Sequence, residues 1–599
     1  MVTSRRDDSG ASSLPKPRSG AGRVREGHRS AISLVRQAPP FYAVTADRSS
    51  VKYLGVPGRL IYNCNETQSG YGVDRKVDWA AGPDLGFLLL HYAHSPVCPS
   101  KYLDHVKQRT TTSLRQFDKL QKLRLLKITD STLERGPLQL VPEVVTKLTS
   151  LEELDLSSNQ INQLPDGLDK LQRLKILKIR GSSYWPCSLR SVPEVVTKLT
   201  SLEELDLSYN QIEQLPDRLD KLQRLKILKI RGSSYWPCSL RSVPEVVTKL
   251  TSLEELDLSY NQIDQLPDRL DKLQRLKILK IRGSSYWPCS LRSVSEVVTK
   301  LTSLEELDLS YNQIEQLPDR LDKLQRLKIL KIRGSSYWPC SLRSVSEVVT
   351  KLTSLEELDL SYNQIEQLPD RLDKLQRLKI LKIRGSSYWP CSLRSVPEVV
   401  TKLTSLEELD LSYNQIEQLP DRLDKLQRLK ILKIRGSSYW PCSLRSVPEV
   451  VTKLTSLEEL DLSYNQIEQL PDRLDKLQRL KILKIRGSSY WPCSLRSVPE
   501  VVTKLTSLEE LDLSYNQIEQ LPDRLDKLQR LKILKIRGSS YWPCSLRSVP
   551  EVVTKLTSLE ELDLSYNQIE QLPDSSCIDS NQASASLVLI IMHNIGDED

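Results

Sequence analysis

The sequence predicts an α/β solenoid, a long stack of short parallel strands with short helical or 3-10 turns on the opposite side. Two observations carry this expectation. The first is self-similarity at a period of 51 residues, read from Leu148, Leu199, Leu250, Leu301, Leu352, Leu403, Leu454, Leu505 and Leu556; a period of this size marks an array of stacked units. The second is composition: leucine and isoleucine recur throughout, while Phe (3) and Met (2) are almost absent from 599 residues. One aliphatic residue type must therefore fill a core whose geometry hardly varies.

Each unit divides into a turn of 23 residues, Leu199–Lys221 for example, and a turn of 28, Leu222–Lys249. In LEELDLSYNQI, Leu202–Ile212, the alternation across ELDLS is that of a short strand, with Leu205 and Leu207 inward and Glu204, Asp206 and Ser208 outward, followed by Tyr209. Asn210 ends the strand, where its amide can satisfy backbone groups of the neighbouring turn. In LPDRLDKL and VPEVVTKL, proline followed by an acid suits a first helical turn: the missing N–H costs nothing there and the dipole favours negative charge. A diverged 28-residue copy opens the array at Leu120 and a copy of the 23-residue type closes it at Asp574, making eighteen turns.

The organisation expected is an irregular region over 1–113, its first 40 residues disordered, the array over 114–574, and a tail over 575–599. The array ends on a nearly perfect consensus turn, which would leave an open edge strand and an exposed leucine core. Either LVLIIM at Leu587–Met592 folds back as a cap, or the chain is a truncated product of a longer protein.

The stretch LEELDLSYNQIEQLPDRL, Leu202–Leu219, resembles the leucine-rich repeat pattern LxxLxLxxNxLxxLPxxLxx, and its LP-xx-L form is similar to the intracellular class found in Ras-pathway scaffolds, the scribble and erbin group and plant Ras-group repeat proteins. Every second turn departs from the pattern, with Ser233 where Asn is usual and five residues inserted before the LP-like VP. The resemblance implies a curved horseshoe or superhelix, a parallel sheet on the concave face, and a protein partner bound there, a small GTPase or a phosphatase being the partner class.

The expected concave face has alternating charge. The 23-residue turn holds six acidic and two basic residues, net −4, and the 28-residue turn six basic and one acidic, net +5. Each charged strand thus lies between two of opposite sign, close enough for cross-strand attraction, and a slip by one turn would set like against like. Partner contacts are expected from Glu204, Asp206, Tyr209, Lys229 and Arg231 and from their equivalents Glu255, Asp257, Tyr260, Lys280 and Arg282.

The stretch SYWPCSLRS, first at Ser183–Ser191, recurs eight times. Equivalent residues two turns apart are separated by roughly 10 Å, too far for disulfides between Cys187, Cys238 and the later members of the column. The same spacing excludes shared zinc. Two readings remain: the rings fill the mismatch between unequal turns, or Tyr235, Trp236, Trp287 and Trp338 line one rim as an aromatic row for a partner.

Catalysis is not expected. A catalytic site brings unlike groups together once, whereas a constellation inside near-identical units would occur eight times. The five histidines, His28, His91, His94, His105 and His593, all lie outside the array. His91 and His94 with Cys64 and Cys98 fit no common zinc spacing, and no phosphate loop, GxSxG elbow or HExxH helix occurs. No metal or cofactor is therefore expected. The net charge of +9 is spread over 86 basic and 77 acidic residues, so no nucleic-acid field is concentrated. The longest apolar runs, LGFLLL at Leu85–Leu90 and LVLIIM, are too short for a membrane span. The first residues hold no apolar signal core, which makes a cytoplasmic scaffold the leading expectation. A recognition array of an innate-immune-type receptor lacking its effector domain is the alternative.

Overall fold

The computed structural model describes residues 87–92, 120–130, 138–181, 189–233, 240–284, 291–335, 342–386, 393–437, 444–488, 495–539, 546–570 and 588–590. Its strands, numbered in chain order, belong to one sheet. β1 is Phe87–Tyr92 and β2 Leu125–Asp130. From there, odd strands β3 to β19 each read Glu-Leu-Asp, from Glu153–Asp155 to Glu561–Asp563, with β5 at Glu204–Asp206 and β7 at Glu255–Asp257. Even strands β4 to β18 read Ile-Leu-Lys, from Ile176–Lys178 to Ile533–Lys535, with β6 at Ile227–Lys229, and β20 is Val588–Ile590. Strands adjacent in sequence are neighbours in space, and the pairs are parallel. The repeats supply eighteen strands, β2 to β19, as the turn count implies.

A three-residue strand forms here because its neighbours hold it. Glu204, Leu205 and Asp206 stand opposite Ile227, Leu228 and Lys229, which in turn face Glu255, Leu256 and Asp257. Backbone bonding continues past the strand ends: Leu207 N donates to Lys229 O at 2.8 Å and Ile230 N to Asp257 O at 2.8 Å. The central leucines make an in-register column that is fully buried at Leu205, Leu228 and Leu256. Leu207 is also buried, as the alternation requires. Each such side chain contributes roughly 1.5–3 kcal/mol by leaving water, and the core is one continuous cluster from Leu123 to Ile569.

On the far side of this core the chain returns through 3-10 turns such as Asp217–Lys221 and Glu245–Lys249, burying Leu219 and Val247 beneath them. The proline sits one residue before the turn, in extended backbone (Pro216 φ −67, ψ 141), so the acid is the first helical residue and the lysine the last. Charge at both ends then opposes the dipole. Where Ser295 and Ser346 replace proline, each hydroxyl accepts from the backbone of Val297 or Val348, at 3.4 and 3.3 Å. The lost conformational restraint is offset by a side-chain cap.

The sheet runs past both ends of the repeats. β1, from the run LGFLLL, lies parallel to β2 over six residue pairs, Phe87 opposite Leu125 through Tyr92 opposite Asp130. β20, from LVLIIM, folds back along β19 with Val588, Leu589 and Ile590 opposite Glu561, Leu562 and Asp563. Among the described residues no helix is long and apolar enough to cross a membrane.

Replacing Leu207 by Asp places an unpartnered charge in this core and is expected to destabilise the array by about 3 kcal/mol or more. Urea denaturation followed by circular dichroism checks this; an unchanged midpoint would place Leu207 outside the core.

Candidate partner-binding face

The face of the sheet opposite the core is built from two alternating strands and the corner that follows each. At the acidic corner the chain passes through Tyr209 in left-handed backbone, φ 63, a conformation that recurs at Tyr260 and Tyr311. Such backbone is costly for a large side chain, and it persists because its surroundings hold it. Asn210, buried, donates through Nδ2 to Ile179 O of the preceding turn at 2.6 Å and to Leu207 O of its own turn at 3.0 Å. Ser208, fully buried, accepts from Arg231 Nε at 3.2 Å. The arginine then lies across the tyrosine ring, Arg231 Cζ standing 5.1 Å from the Tyr209 centroid and Arg282 Cζ 5.2 Å from that of Tyr260.

The predicted alternation of charge is present, and the charges are largely consumed by each other. Lys229 pairs with Glu255 at 3.2 Å and Lys280 with Glu306 at 3.0 Å, while Glu204 lies 4.0 Å from Lys178. Arg231 reaches Asp257 at 3.8 Å and Arg282 reaches Asp308 at 3.7 Å.

The ten residues expected to contact a partner separate into two groups. Asp206 and Asp257 are buried, at 4% exposure each, and each carboxylate accepts the backbone N–H two residues on, Ser208 or Ser259, at 3.0 Å. They are bracing groups beneath the face: each carboxylate holds the turn that follows its strand and is reached by an arginine of the preceding basic turn. Glu204, Tyr209, Lys229 and Arg231, with Glu255, Tyr260, Lys280 and Arg282, are half-buried and remain on the face. Ile227 and its equivalents add a half-exposed apolar position between successive glutamates. The aromatic candidates Tyr235, Trp236, Trp287 and Trp338 lie outside the described residues.

Stacking of arginine on tyrosine is a feature that periodicity alone does not reveal. Its signal is spacing: Asp206 stands opposite Lys229, Tyr209 follows the first by three residues and Arg231 the second by two, so paired strands bring them to neighbouring positions. The first turn of this type provides an internal control. There Ser158 occupies the tyrosine position, and Arg180 is 38% exposed against 21% for Arg231. Burial pushes the phenols of Tyr311 and Tyr464 upward, keeping them neutral hydroxyl groups.

A second row of ion pairs runs along the edge where the chain enters the sheet. Lys226 bonds Glu203 and Lys277 bonds Glu254, both at 2.6 Å. These lysines hold the carboxyls of Glu203 and Glu254 below the usual carboxylate range, as Lys328, Lys379 and Lys481 do for Glu305, Glu356 and Glu458. Burial pushes Asp512 the other way.

Among the described residues no group of His, Cys, Asp and Glu is arranged to hold a metal ion. A cavity of about 570 Å³ is an open cleft on the 3-10 side lined by Glu398, Thr401, Lys402, Thr404, Arg422 and Lys425. It contains neither a nucleophile beside a base nor converging carboxylates.

Models of a leucine-rich repeat region match residues 101–238, 183–294 and 423–542, and a leucine rich repeat model matches 300–316, 351–367, 402–418 and 555–571. The chain is 24% identical over 454 residues to leucine-rich repeat serine/threonine-protein kinase 1 of Mus musculus, covering 74% of this chain and 19% of the kinase. It is 31% identical over 275 residues to the volume-regulated anion channel subunit LRRC8E of Homo sapiens, covering 45% of this chain and 32% of that subunit. The match thus spans a third or less of either relative. Among solved structures, a leucine-rich repeat protein of Leptospira interrogans superimposes with a TM-score of 0.55 at 24% identity, covering 77% of this chain and all of that one.

The edge ion pairs set a pH dependence. Carboxyls held low in the folded state bind protons more readily once unfolded, so their contribution is full above the ordinary glutamate value of about 4.3 and is lost as pH falls through and below it. The five glutamates outnumber Asp512, whose raised value acts in the opposite sense. Melting temperature is expected to fall between about pH 5 and pH 3 and to fall less in high salt; a melting temperature flat across this window would show the pairs to be without energetic weight.

Proposed function

Because the chain belongs to the leucine-rich repeat family, we propose that it is a non-catalytic array that binds a protein partner on the outward face of its sheet. Members of this family mediate protein–protein interaction, and the observation that carries the reading here is the Tyr and Ile columns set among charges already neutralised in place. A face of this kind offers little net field to a diffusing ion, yet it presents aromatic and aliphatic surface whose polar neighbours are satisfied. That is the composition favoured in the buried centre of protein interfaces.

In its finer form the proposal is a cytoplasmic scaffold of the intracellular LP-type class, engaging a small GTPase or a phosphatase. The LP-xx-L form of Leu215–Leu219 supports this class. The varied relatives show why the face itself must be tested: one is named as a kinase and another as a channel subunit.

The test uses the substitution already present at Ser158. Tyr260, Tyr311 and Tyr362 are changed together to Ser in the full chain, which is then compared with the wild type for capture of partners from cytosol and for affinity to the partner captured. Loss of three interface tyrosines is expected to weaken binding at least about tenfold while circular dichroism stays unchanged. Undiminished binding by the folded variant would move the site off this face.

A further inference from the structure

The array is composed of whole units, and this gives it complementary ends. It opens on a strand of the basic type, β2, and closes on one of the acidic type, β19. Inside the sheet every acidic strand is followed by a basic one in a fixed register, Glu510 opposite Ile533, Leu511 opposite Leu534 and Asp512 opposite Lys535. Set at the end of another copy, β2 would continue that register, with Leu125, Leu126 and Lys127 opposite Glu561, Leu562 and Asp563. Thr129 stands where interior strands carry arginine, so the ionic part of this match rests on Lys127, opposite Asp563, and on Arg124, which holds the position of Lys226 in the edge pair with Glu203.

In the structure both edges are taken by strands from outside the repeats, and neither supplies the charge that a repeat would. Leu89 of β1 stands opposite Lys127, at the position where an interior strand places aspartate. Ile590 of β20 stands opposite Asp563, where an interior strand places lysine. Asp563 accepts from the Ser565 backbone N–H at 3.0 Å, as Asp206 does from Ser208, and in addition from the Ser565 hydroxyl. β1 and β20 therefore satisfy the backbone of the two edges and leave the charge column unfinished.

We propose that the two ends of the array are mutually complementary interfaces for a second copy of this chain, and that β1 and β20 are plugs that keep copies from stacking head to tail. The contact is heterologous: the two surfaces differ, so a copy that joins leaves the next edge open. Each plug meets its own edge without an opposite charge, whereas a second copy meets that edge with the opposite charge in place.

This asymmetry gives a test with a distinctive outcome. In the full chain, Leu89→Lys sets like charge opposite Lys127 and frees the first edge, while Ile590→Asp does the same opposite Asp563 and frees the last. Each variant keeps its other edge plugged, so each alone is expected to sediment as a monomer. Mixed, they are expected to form a one-to-one complex of twice the monomer mass. Asp563→Lys is expected to weaken it several-fold in the version of the second variant whose last edge is freed by deleting 588–590, where no carboxylate from Ile590→Asp can pair with the new charge. A parallel pair in which residues 87–92 or 588–590 are deleted repeats the measurement without introducing charge. Mixtures of folded variants that stay monomeric would overturn the proposal. So would either variant assembling alone, or a complex indifferent to Asp563→Lys.

Discussion

A three-residue strand makes too few backbone hydrogen bonds to persist alone, so each turn of this array exists because the turns beside it hold it in register. That register is imposed at three levels. The leucine column, Leu205 against Leu228 against Leu256, demands that strands align without offset, since a shift of one residue would expose every leucine and bury every charge. Asn210 ties its corner to Ile179 of the preceding turn. Lys229 and Arg231 then reach forward to Glu255 and Asp257, while Arg231 also leans back over Tyr209.

These ties make the two kinds of turn unequal partners. The 28-residue turn and the 23-residue turn after it share the asparagine bond, the forward ion pairs and a second short bridge, such as Ser191 opposite Gln214. The 23-residue turn is joined to the next by the arginine, through Ser208 and the Tyr209 ring, and by Glu203 with Lys226. Exposed ion pairs contribute little each, about 0–1 kcal/mol. Their larger effect is on specificity, because only a strand of opposite type completes them.

Much of this was legible in the sequence because stacking repeats one local pattern. The inward leucines, the asparagine at the corner, the eighteen turns and the alternation of charge follow from spacing, and all concern residues whose neighbours are copies of known turns. What escaped were features set by the path of the backbone. Asp206 reads as outward by alternation, yet it is buried because the chain bends at Ser208 and its N–H needs an acceptor. Tyr209 reads as one more outward residue, and its left-handed backbone and the guanidinium over its ring depend on the turn that follows. For the last edge the sequence offered LVLIIM as a cap, one of two readings, and β20 lies along β19; the role of β1 was least visible, since a short apolar run carries no mark of the edge it will cover.

The central claim is that the unit of stability is a pair of unlike turns held by alternation of charge, and deletion tests it directly. Removing 250–300 takes out one whole unit and restores acidic against basic strands. Removing only 273–300 takes out a single turn and sets Glu255 and Asp257 beside Glu306 and Asp308. By number of turns lost, the second deletion is the milder. We expect it to be the more damaging, with a lower urea midpoint than the chain lacking a full unit, and to recover partly in high salt. Equal midpoints, or a lower one for the full-unit deletion, would show that leucine stacking alone sets the register and that the alternation of charge is incidental to it.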